Sequence, residues 1–329
     1  MNVNEVVDGS TALWIASKNG HSDVVGVLLN QSEIDINWNA ENNKSALFVA
    51  SSEGSAEVVK LLLARPVVDV NMGTYELVPV VGMPIWGCPS CPGTPTYSCS
   101  VRVHGIYPGS CLDDPKQTLI YNATALLVAA KNGHEEVVQL LLAHPNIDVN
   151  VLWQPLGHTE IQNYNDRRVS PEPEGSTPLS AASREGHDEV VEELIGHDKI
   201  DVNAGRTDAK GFSALYFASK NGSTRIIRLL LDYPSIEVNG GGRPNGLGKN
   251  PLYEAAENNR TRVVEVLLKD PRTDVNSGVY SSEEGDTALA IAAYRGYTEV
   301  VKLLLRCPKT KSTFPWRRDV VISRYGVSC

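Results

Sequence analysis

Four cysteines between residues 72 and 121 have the clearest metal-binding chemistry in this sequence. Cys88 and Cys91 have the spacing of a zinc knuckle, and Cys99 and Cys111 follow without forming a second one. Four thiolates must converge tetrahedrally on zinc at about 2.3 Å, which usually takes two knuckles. Because the surrounding residues are rich in Pro and Gly and poor in charge, we expect an irregular, metal-free insertion. A zinc-binding adaptor is the alternative.

A glycine-rich stretch from Gly240 to Asn250 has some features of a phosphate-binding loop. Gly242 and Gly248 are one residue too far apart for that motif, and Asn250 stands where a hydroxyl would reach magnesium. The stretch also connects two helical runs, whereas a phosphate-binding loop follows a strand. We therefore expect no nucleotide cofactor.

The run His134-Glu135-Glu136 opens like the helix of a zinc protease, but the second histidine of that metal site is missing. His21, His134 and His187 share one recurrent position, where a helix-capping or turn role explains them. No nucleophile with a neighbouring base can be argued from the sequence. The sequence therefore predicts that the chain is not an enzyme and needs no cofactor.

Seven similar units carry these residues. Each unit opens with a polar residue, has Leu two residues later and Ala five residues later, and then reaches a Gly or, once, Asn259. The Leu and Ala lie on one side of a short helix, and Gly or Asn tolerates the left-handed conformation that ends it. A second run pairs apolar residues, as in Val137-Val138 and Leu141-Leu142, which predicts a second amphipathic helix. The units open at Thr11, Ser45, Thr124, Thr177, Ser213, Asn250 and Thr287.

An extended signature such as Val68-Asp69-Val70-Asn71 closes each of the first six units, always at the same distance from the unit's start. We expect its Asn to bond backbone in the turn. Insertions fall only in the connectors after this Asn, which is typical of a stacked solenoid. We divide the chain into repeats 1 and 2 at 1–71, an insertion at 72–121, repeats 3–7 at 122–306 with a further insertion at 151–174, and a tail at 307–329.

The overall composition excludes several classes of protein. With 42% hydrophobic and 21% charged residues the chain can bury a core. A net charge of −9 and the lack of a basic block argue against nucleic-acid binding. No apolar run is long enough to span a membrane, and Met1–Ser10 lacks the features of a signal peptide. Six cysteines fit a reducing compartment, so we expect an intracellular protein, cytoplasmic or nuclear, without a small-molecule substrate.

The fourth unit carries the clearest family resemblance. It reads Thr177-Pro178-Leu179-Ser180-Ala181-Ala182-Ser183-Arg184-Glu185-Gly186-His187, followed by Val190-Val191-Glu192-Glu193-Leu194-Ile195 and Asp201-Val202-Asn203. This pattern resembles the ankyrin repeat nearly position by position. The resemblance implies an all-α ankyrin-repeat solenoid of stacked helix-turn-helix units with projecting hairpin-like fingers. It also implies a concave groove that binds partner proteins and the absence of catalytic activity.

Two features depart from the ankyrin pattern. The family's His after Thr-Pro-Leu is absent, so we expect its side-chain hydrogen bond to be lost; its place is taken by Trp14, Phe48, Leu127, Ser180, Tyr216, Tyr253 and Ala290. Polar capping repeats are not evident either, since Val3-Asn4 resembles the end of a preceding finger and Val300–Leu305 is as apolar as an internal unit. We expect either a fragment of a longer array or ends that are covered, for example by the tail.

In the resembled fold, the two residues before each inter-helix Gly and the residue before each unit start face the groove. These positions vary between units, which favours a partner-binding row over plain solvated helix ends. Phe212 and Tyr294 are the expected anchors, because aromatic side chains dominate interface energies. The predicted row comprises Lys18, Asn19, Lys44, Ser52, Glu53, Lys131, Asn132, Arg184, Glu185, Phe212, Lys220, Asn221, Lys249, Glu257, Asn258, Asp286, Tyr294 and Arg295.

We therefore interpret the chain as a non-catalytic interaction scaffold or adaptor that binds a partner protein in this groove. A regulatory ankyrin portion of a larger enzyme or channel is the first alternative. The second alternative is the zinc-binding adaptor that would use the cysteine-containing insertion. The sequence does not name the partner.

Overall fold

The computed structural model describes residues 2–39, 44–79, 117–152, 176–205, 213–240, 249–279 and 286–309, and its helices there form seven pairs. The first helices of the pairs are α1 (Ala12–Lys18), α3 (Ala46–Ser52), α5 (Ala125–Asn132), α7 (Pro178–Glu185), α9 (Ala214–Asn221), α11 (Pro251–Glu257) and α13 (Ala288–Arg295). The second helices are α2 (Ser22–Leu29), α4 (Ala56–Leu63), α6 (Glu135–Leu142), α8 (Asp188–Ile195), α10 (Thr224–Leu231), α12 (Thr261–Lys269) and α14 (Thr298–Arg306). None of these helices has the length and apolar character needed to cross a membrane.

The polar residue that opens each unit caps its first helix. The hydroxyl of Thr124 accepts a hydrogen bond from the amide of Leu127 at 3.3 Å, and the side chain of Asn250 accepts one from Tyr253 at 2.7 Å. The openings of the other five units do the same. A cap of this kind contributes about 1 kcal/mol, so the opening residue fixes where each unit begins.

The turn after each first helix has the left-handed backbone that the Gly and Asn positions predict. Gly133 has a φ of 77° and Asn259 a φ of 55°. The same conformation is found at Gly20, Gly54, Gly186, Gly222 and Gly296. This turn directly precedes the second helix, so the two helices of every unit are joined through the same backbone conformation.

The helices stack in two layers. The first helices contact one another in chain order from α1 to α13, and the second helices do the same from α2 to α14. This order continues across both long connectors, since α3 contacts α5 and α5 contacts α7. The protein therefore has the all-α solenoid fold that the sequence predicts.

One apolar core runs along the stack between the two layers, from Leu13 to Leu304. The exposure of the paired valines shows that each unit relies on its neighbours. Val58 in unit 2 is 1% exposed, whereas the matching Val24 in unit 1 is 48% exposed. Full burial of such a side chain contributes roughly 1.5–3 kcal/mol, so stacking stabilises every unit.

Asparagines at the unit ends form a hydrogen-bond ladder along the stack. Asn71 donates from Nδ2 to the carbonyl of Asn146 at 2.7 Å and accepts from the amide of Asp148 at 2.9 Å. The sequence predicted that this Asn bonds backbone, which is confirmed, but the backbone belongs to the turn of the next unit and not to the residue's own turn. The same two bonds are made by Asn4, Asn37, Asn150, Asn203 and Asn239. The bonds of Asn4 confirm that residues 3 and 4 act as the end of a finger.

Two short antiparallel ribbons lie in the connectors. Strand β1 (Thr74–Pro79) pairs with β2 (Gln117–Ala123), and β3 (Gly278–Val279) pairs with β4 (Asp286–Thr287). The ends of region 72–121 are therefore regular, which corrects the prediction of irregular structure there. Both strands are rich in β-branched and aromatic residues, a signal that the Pro and Gly of the intervening residues obscure.

Candidate interaction groove

Most of the predicted groove residues lie near the C-terminal ends of the first helices, and Lys44, Lys249 and Asp286 lie just before the N-terminal ends of α3, α11 and α13. Asn132 donates from Nδ2 to the carbonyl of Ser52 in the preceding unit at 2.9 Å. The guanidinium of Arg295 lies 3.5 Å from the carboxylate of Glu257, again one unit earlier. The structure thus brings these positions together along the first-helix layer. We call the predicted set the groove row.

Most of the groove row is open to solvent. The exposed side chains are Lys18, Asn19, Lys44, Glu53, Asn132, Glu185, Lys220, Asn221, Tyr294 and Arg295. The half-buried ones are Ser52, Lys131, Arg184, Lys249, Glu257 and Asn258. Tyr294 is 65% exposed, as an anchor residue must be before it binds. Phe212 lies outside the described residues, and for Asp286 the structure describes only the backbone, in β4.

Aromatic rings lie beside two lysines where units 1 and 2 meet. The Nζ atom of Lys18 is 5.2 Å from the ring centroid of Trp14, and that of Lys44 is 5.8 Å from the ring centroid of Phe48. Trp14 also donates from Nε1 to the carbonyl of Lys44 at 2.9 Å. Trp14, Lys18, Lys44 and Phe48 therefore form one cluster, which we call the aromatic–lysine patch. Its two lysines are exposed, Trp14 is half-buried and Phe48 is buried beneath Lys44.

The position of the family's missing His keeps a side-chain hydrogen bond in at least three units, which corrects the prediction that this bond is lost. Trp14 makes the bond just described. Ser180 accepts from the amide of Thr177 at 2.8 Å and completes a capping box. The Tyr216 hydroxyl donates to Glu254 in the next unit at 2.8 Å. Each of these three replacements has a polar group of its own, so the position still contributes a side-chain hydrogen bond in units 1, 4 and 5.

Glu254 holds a polar cluster where units 5 and 6 meet. The residue is 2% exposed, and its carboxylate also accepts from Asn258 Nδ2 at 3.2 Å. Lys249 Nζ lies 3.5 Å from that carboxylate and also pairs with Glu257. These donors and the cation compensate the buried charge. Burial, together with the Glu254 charge, raises the pKa of Tyr216 far above its usual value, so Tyr216 stays a protonated donor.

Glu254 is a residue that the groove prediction missed. It occupies the repeat position that is apolar in the other units, such as Val49 and Phe217. A charged residue at an apolar position of a repeat is a signal that could have identified it. Only the structure shows that it organises Lys249 and Glu257, which both belong to the groove row.

Two of the histidines after the inter-helix glycines connect their units, 3 and 4, to the preceding unit. Nε2 of His134 lies 2.9 Å from the carbonyl oxygen of Ser52, and Nε2 of His187 lies 2.9 Å from that of Lys131. Neither side chain caps its own helix. The helix-capping role predicted from the sequence is therefore real for these two, but it serves the first helix of the preceding unit.

Within the described ranges, no three His, Cys, Asp or Glu side chains come together as a metal site would require. Cys88, Cys91, Cys99 and Cys111 lie outside the described residues. The zinc alternative therefore stays a prediction. Cys307, just after α14, is a free thiol.

The repeated helix pairs have counterparts among known proteins. The family described as ankyrin repeats (3 copies) matches residues 1–73, 109–205, 156–241 and 239–313, well over half of the chain. The chain belongs to the ankyrin-repeat family. Its helix pairs and fingers are therefore those of a protein-interaction domain.

The same architecture is found in a solved structure, that of the human ASB11 ankyrin repeat domain. The two chains superpose with a TM-score of 0.58 at 20% sequence identity, over 90% of this chain and 97% of that one. At this identity the likeness shows the fold alone. It supports the continuous stack described above.

Curated relatives share the repeat region only. The probable E3 ubiquitin-protein ligase XBOS32 of Oryza sativa subsp. japonica is 36% identical over 107 residues, which is 32% of this chain and 17% of that protein. The E3 ubiquitin-protein ligase XBAT33 of Arabidopsis thaliana is 38% identical over 117 residues, or 34% and 18%. Rabankyrin-5 of Mus musculus is 28% identical over 143 residues, or 44% and 10%. This chain thus matches less than a fifth of each relative's length.

Proposed function

We propose that the chain is a non-catalytic scaffold or adaptor that holds a partner protein along the groove row. The observation that carries the proposal is the contrast between this row and its framework. The row varies from Lys18 in unit 1 to Arg184 in unit 4 and Tyr294 in unit 7, whereas each first helix has the same Leu, which is buried in units 1 to 6. A variable surface on a constant framework suits recognition of one partner. A cytoplasmic location is part of the same proposal.

Aromatic side chains stand at both ends of the row. Tyr294 is exposed on α13 in unit 7, and the half-buried Trp14 of the aromatic–lysine patch lies on α1 in unit 1. Aromatic and Arg side chains contribute most to binding at protein interfaces, where they fill pockets of the partner. The row therefore supplies anchors as well as polar contacts.

Capture of a partner from cell extract by the purified chain tests the proposal. Once a partner is identified, three variants are compared. The first combines Lys131→Glu and Arg184→Glu, and the second carries Tyr294→Ala. The third is a control on the second helices that combines Lys60→Glu and Lys302→Glu. Loss of an anchor residue typically costs about 2 kcal/mol or more, which is roughly 30-fold in affinity. We expect both groove variants to lose capture and the control to keep it. Equal capture by all variants, with melting temperatures unchanged, would contradict the proposal.

A second candidate is a regulatory ankyrin portion of a larger enzyme or channel. It is favoured by the outer face of unit 1, where Ile15 is 45% and Val24 is 48% exposed. The matching residues in unit 2, Val49 and Val58, are 5% and 1% exposed because unit 1 covers them. An apolar face of this kind suits contact with a further folded segment. Immunoblotting of native tissue with an antibody to the array tests this candidate. A band far above 35.7 kDa supports it, and a 35.7 kDa band alone contradicts it.

A further inference from the structure

We infer that the partner segment bound along the groove row is acidic, and that its main cationic contacts are Lys18, Lys44 and Lys220. This inference rests on the proposed function. The groove row contains seven basic and four acidic residues, whereas the whole chain carries a net charge of −9. The row is therefore opposite in sign to the rest of the molecule, which is the charge pattern that attracts an acidic partner to one face.

Part of the row's charge is neutralised within the protein. Arg184 pairs with Glu185 at 2.8 Å. Lys249 pairs with Glu257 and Glu254, and the guanidinium of Arg295 lies 3.5 Å from Glu257. Units 6 and 7 therefore present little net charge to a partner.

Lys18, Lys44 and Lys220 differ from these paired cations. All three are exposed, and none has a carboxylate within ion-pair distance among the residues that the structure describes. Lys18 and Lys44 lie over the rings of Trp14 and Phe48, which orient the ammonium groups and leave their charge intact. At the aromatic–lysine patch, a partner carboxylate would meet two oriented cations and the half-buried ring of Trp14, since Phe48 is only 7% exposed.

Two helices of the second-helix layer, α6 and α8, have the opposite character, whereas α10, α12 and α14 each carry more basic than acidic residues. Helix α6 begins with Glu135 and Glu136, and α8 contributes Asp188, Glu189, Glu192 and Glu193, of which Arg225 directly pairs with Glu189 and Glu192. An acidic segment would be repelled from α6 and α8 and steered to the groove row of the same units. A basic segment would be drawn to α6 and α8 instead, so the sign of the partner's charge decides which face is occupied.

Fluorescence anisotropy with labelled homopolymer peptides tests the inference on the full chain. The probes are polyglutamate, polyglutamine and polylysine of equal length, and a single-stranded DNA oligonucleotide. The groove variant carries Lys18→Glu, Lys44→Glu and Lys220→Glu. Its matched control carries Lys60→Glu, Lys269→Glu and Lys302→Glu, three exposed lysines of the second helices, and has the same net charge. Melting curves of both variants verify that they fold.

We expect the wild-type chain to prefer polyglutamate over the other probes, with an affinity that falls as salt screens the charges. The groove variant should lose about tenfold or more in affinity for polyglutamate, and the control less than about threefold. Binding should also change the Trp14 fluorescence, taken as the difference between the wild type and Trp14→Phe. Equal losses in the two variants, a preference for polylysine, or DNA binding as tight as that of polyglutamate would each overturn the inference.

The outcome separates this inference from the proposed function. If partner capture depends on Tyr294 but polyglutamate does not bind, the acidic partner is ruled out and the scaffold function stands. If polyglutamate binds through the three lysines but no groove variant affects capture of the natural partner, the scaffold function of the groove fails instead.

Discussion

Two separate structural features require glycine at position 133. Its φ of 77° is in the left-handed region, and a Cβ atom there would lie 2.6 Å from the ring of His187 in the next unit. The first requirement could be predicted from the sequence, because Gly or Asn recurs at this position in every unit. The second could not, since it depends on the register in which units 3 and 4 stack across a long connector.

A series of Gly→Ala substitutions separates these two requirements. Gly133→Ala adds strain and a ring clash, Gly296→Ala adds strain in open space, and Gly26→Ala lies in helix α2 with no atom within 4 Å. We expect Gly296→Ala to cost about 1–2 kcal/mol of unfolding free energy and Gly133→Ala more. Gly26→Ala should stabilise by about 0.5–1 kcal/mol. Urea unfolding measures all three; equal losses for Gly133→Ala and Gly296→Ala would show that the His187 ring moves away at little cost.

At the scale of the elements, the connection after α12 differs from its equivalents. Arg272 donates to the carbonyl of Leu231 at 2.6 Å and to that of Tyr233 at 3.0 Å, at the end of α10. Asp270 holds the guanidinium at 2.7 Å. These bonds join unit 6 to the last turn of the preceding second helix. The repeat pattern predicted the length of this connector. It did not indicate the Arg272 contact, because the other units have no Arg at the equivalent position.

Asp270 makes this contact sensitive to pH. The hydrogen bond from Arg272 lowers the pKa of Asp270 below its ordinary value in the folded protein. The stability that this contact contributes is therefore present above the ordinary Asp pKa of about 3.9 and is lost as the pH falls through the lowered folded value. We expect Asp270→Asn to destabilise the protein at about pH 6 and to have a smaller effect at about pH 3. Urea unfolding at the two pH values checks this, and an unchanged difference between wild type and variant would contradict it.

At the scale of the whole molecule, the sequence predicted most of what is local to a unit. Helix pairs, N-caps and left-handed turns follow from residues close in the chain, such as Thr124 and Gly133. Contacts between units were not predictable in the same way, because they pair residues far apart. The bond from Asn71 to Asn146 crosses the longest connector, and the bond from Tyr216 to Glu254 joins residues of units 5 and 6 that are 38 positions apart. The position of the groove row came from the family resemblance, and its charge pairing came from the structure.

Replacing residues 80–116 by a short Gly/Ser linker tests whether the stack is independent of that segment. The strands β1 and β2 pair on either side of it, and the helices of units 2 and 3 pack directly. Shortening a loop changes its closure entropy by only about 0.6 kcal/mol per halving. We expect a single cooperative transition with a melting temperature within about 4 °C of the wild type. Two separate transitions, measured by circular dichroism, would show that the segment itself couples the two parts of the array.

The asparagine ladder also determines how the molecule should respond to force. Its rungs connect one unit to the next in series from Asn4 to Asn239, so tension applied at the two ends passes through every rung in turn. An end unit has a neighbour on one side only and should detach first. The array should therefore lengthen in successive steps of one unit each, and recoil by the same steps when the tension is released.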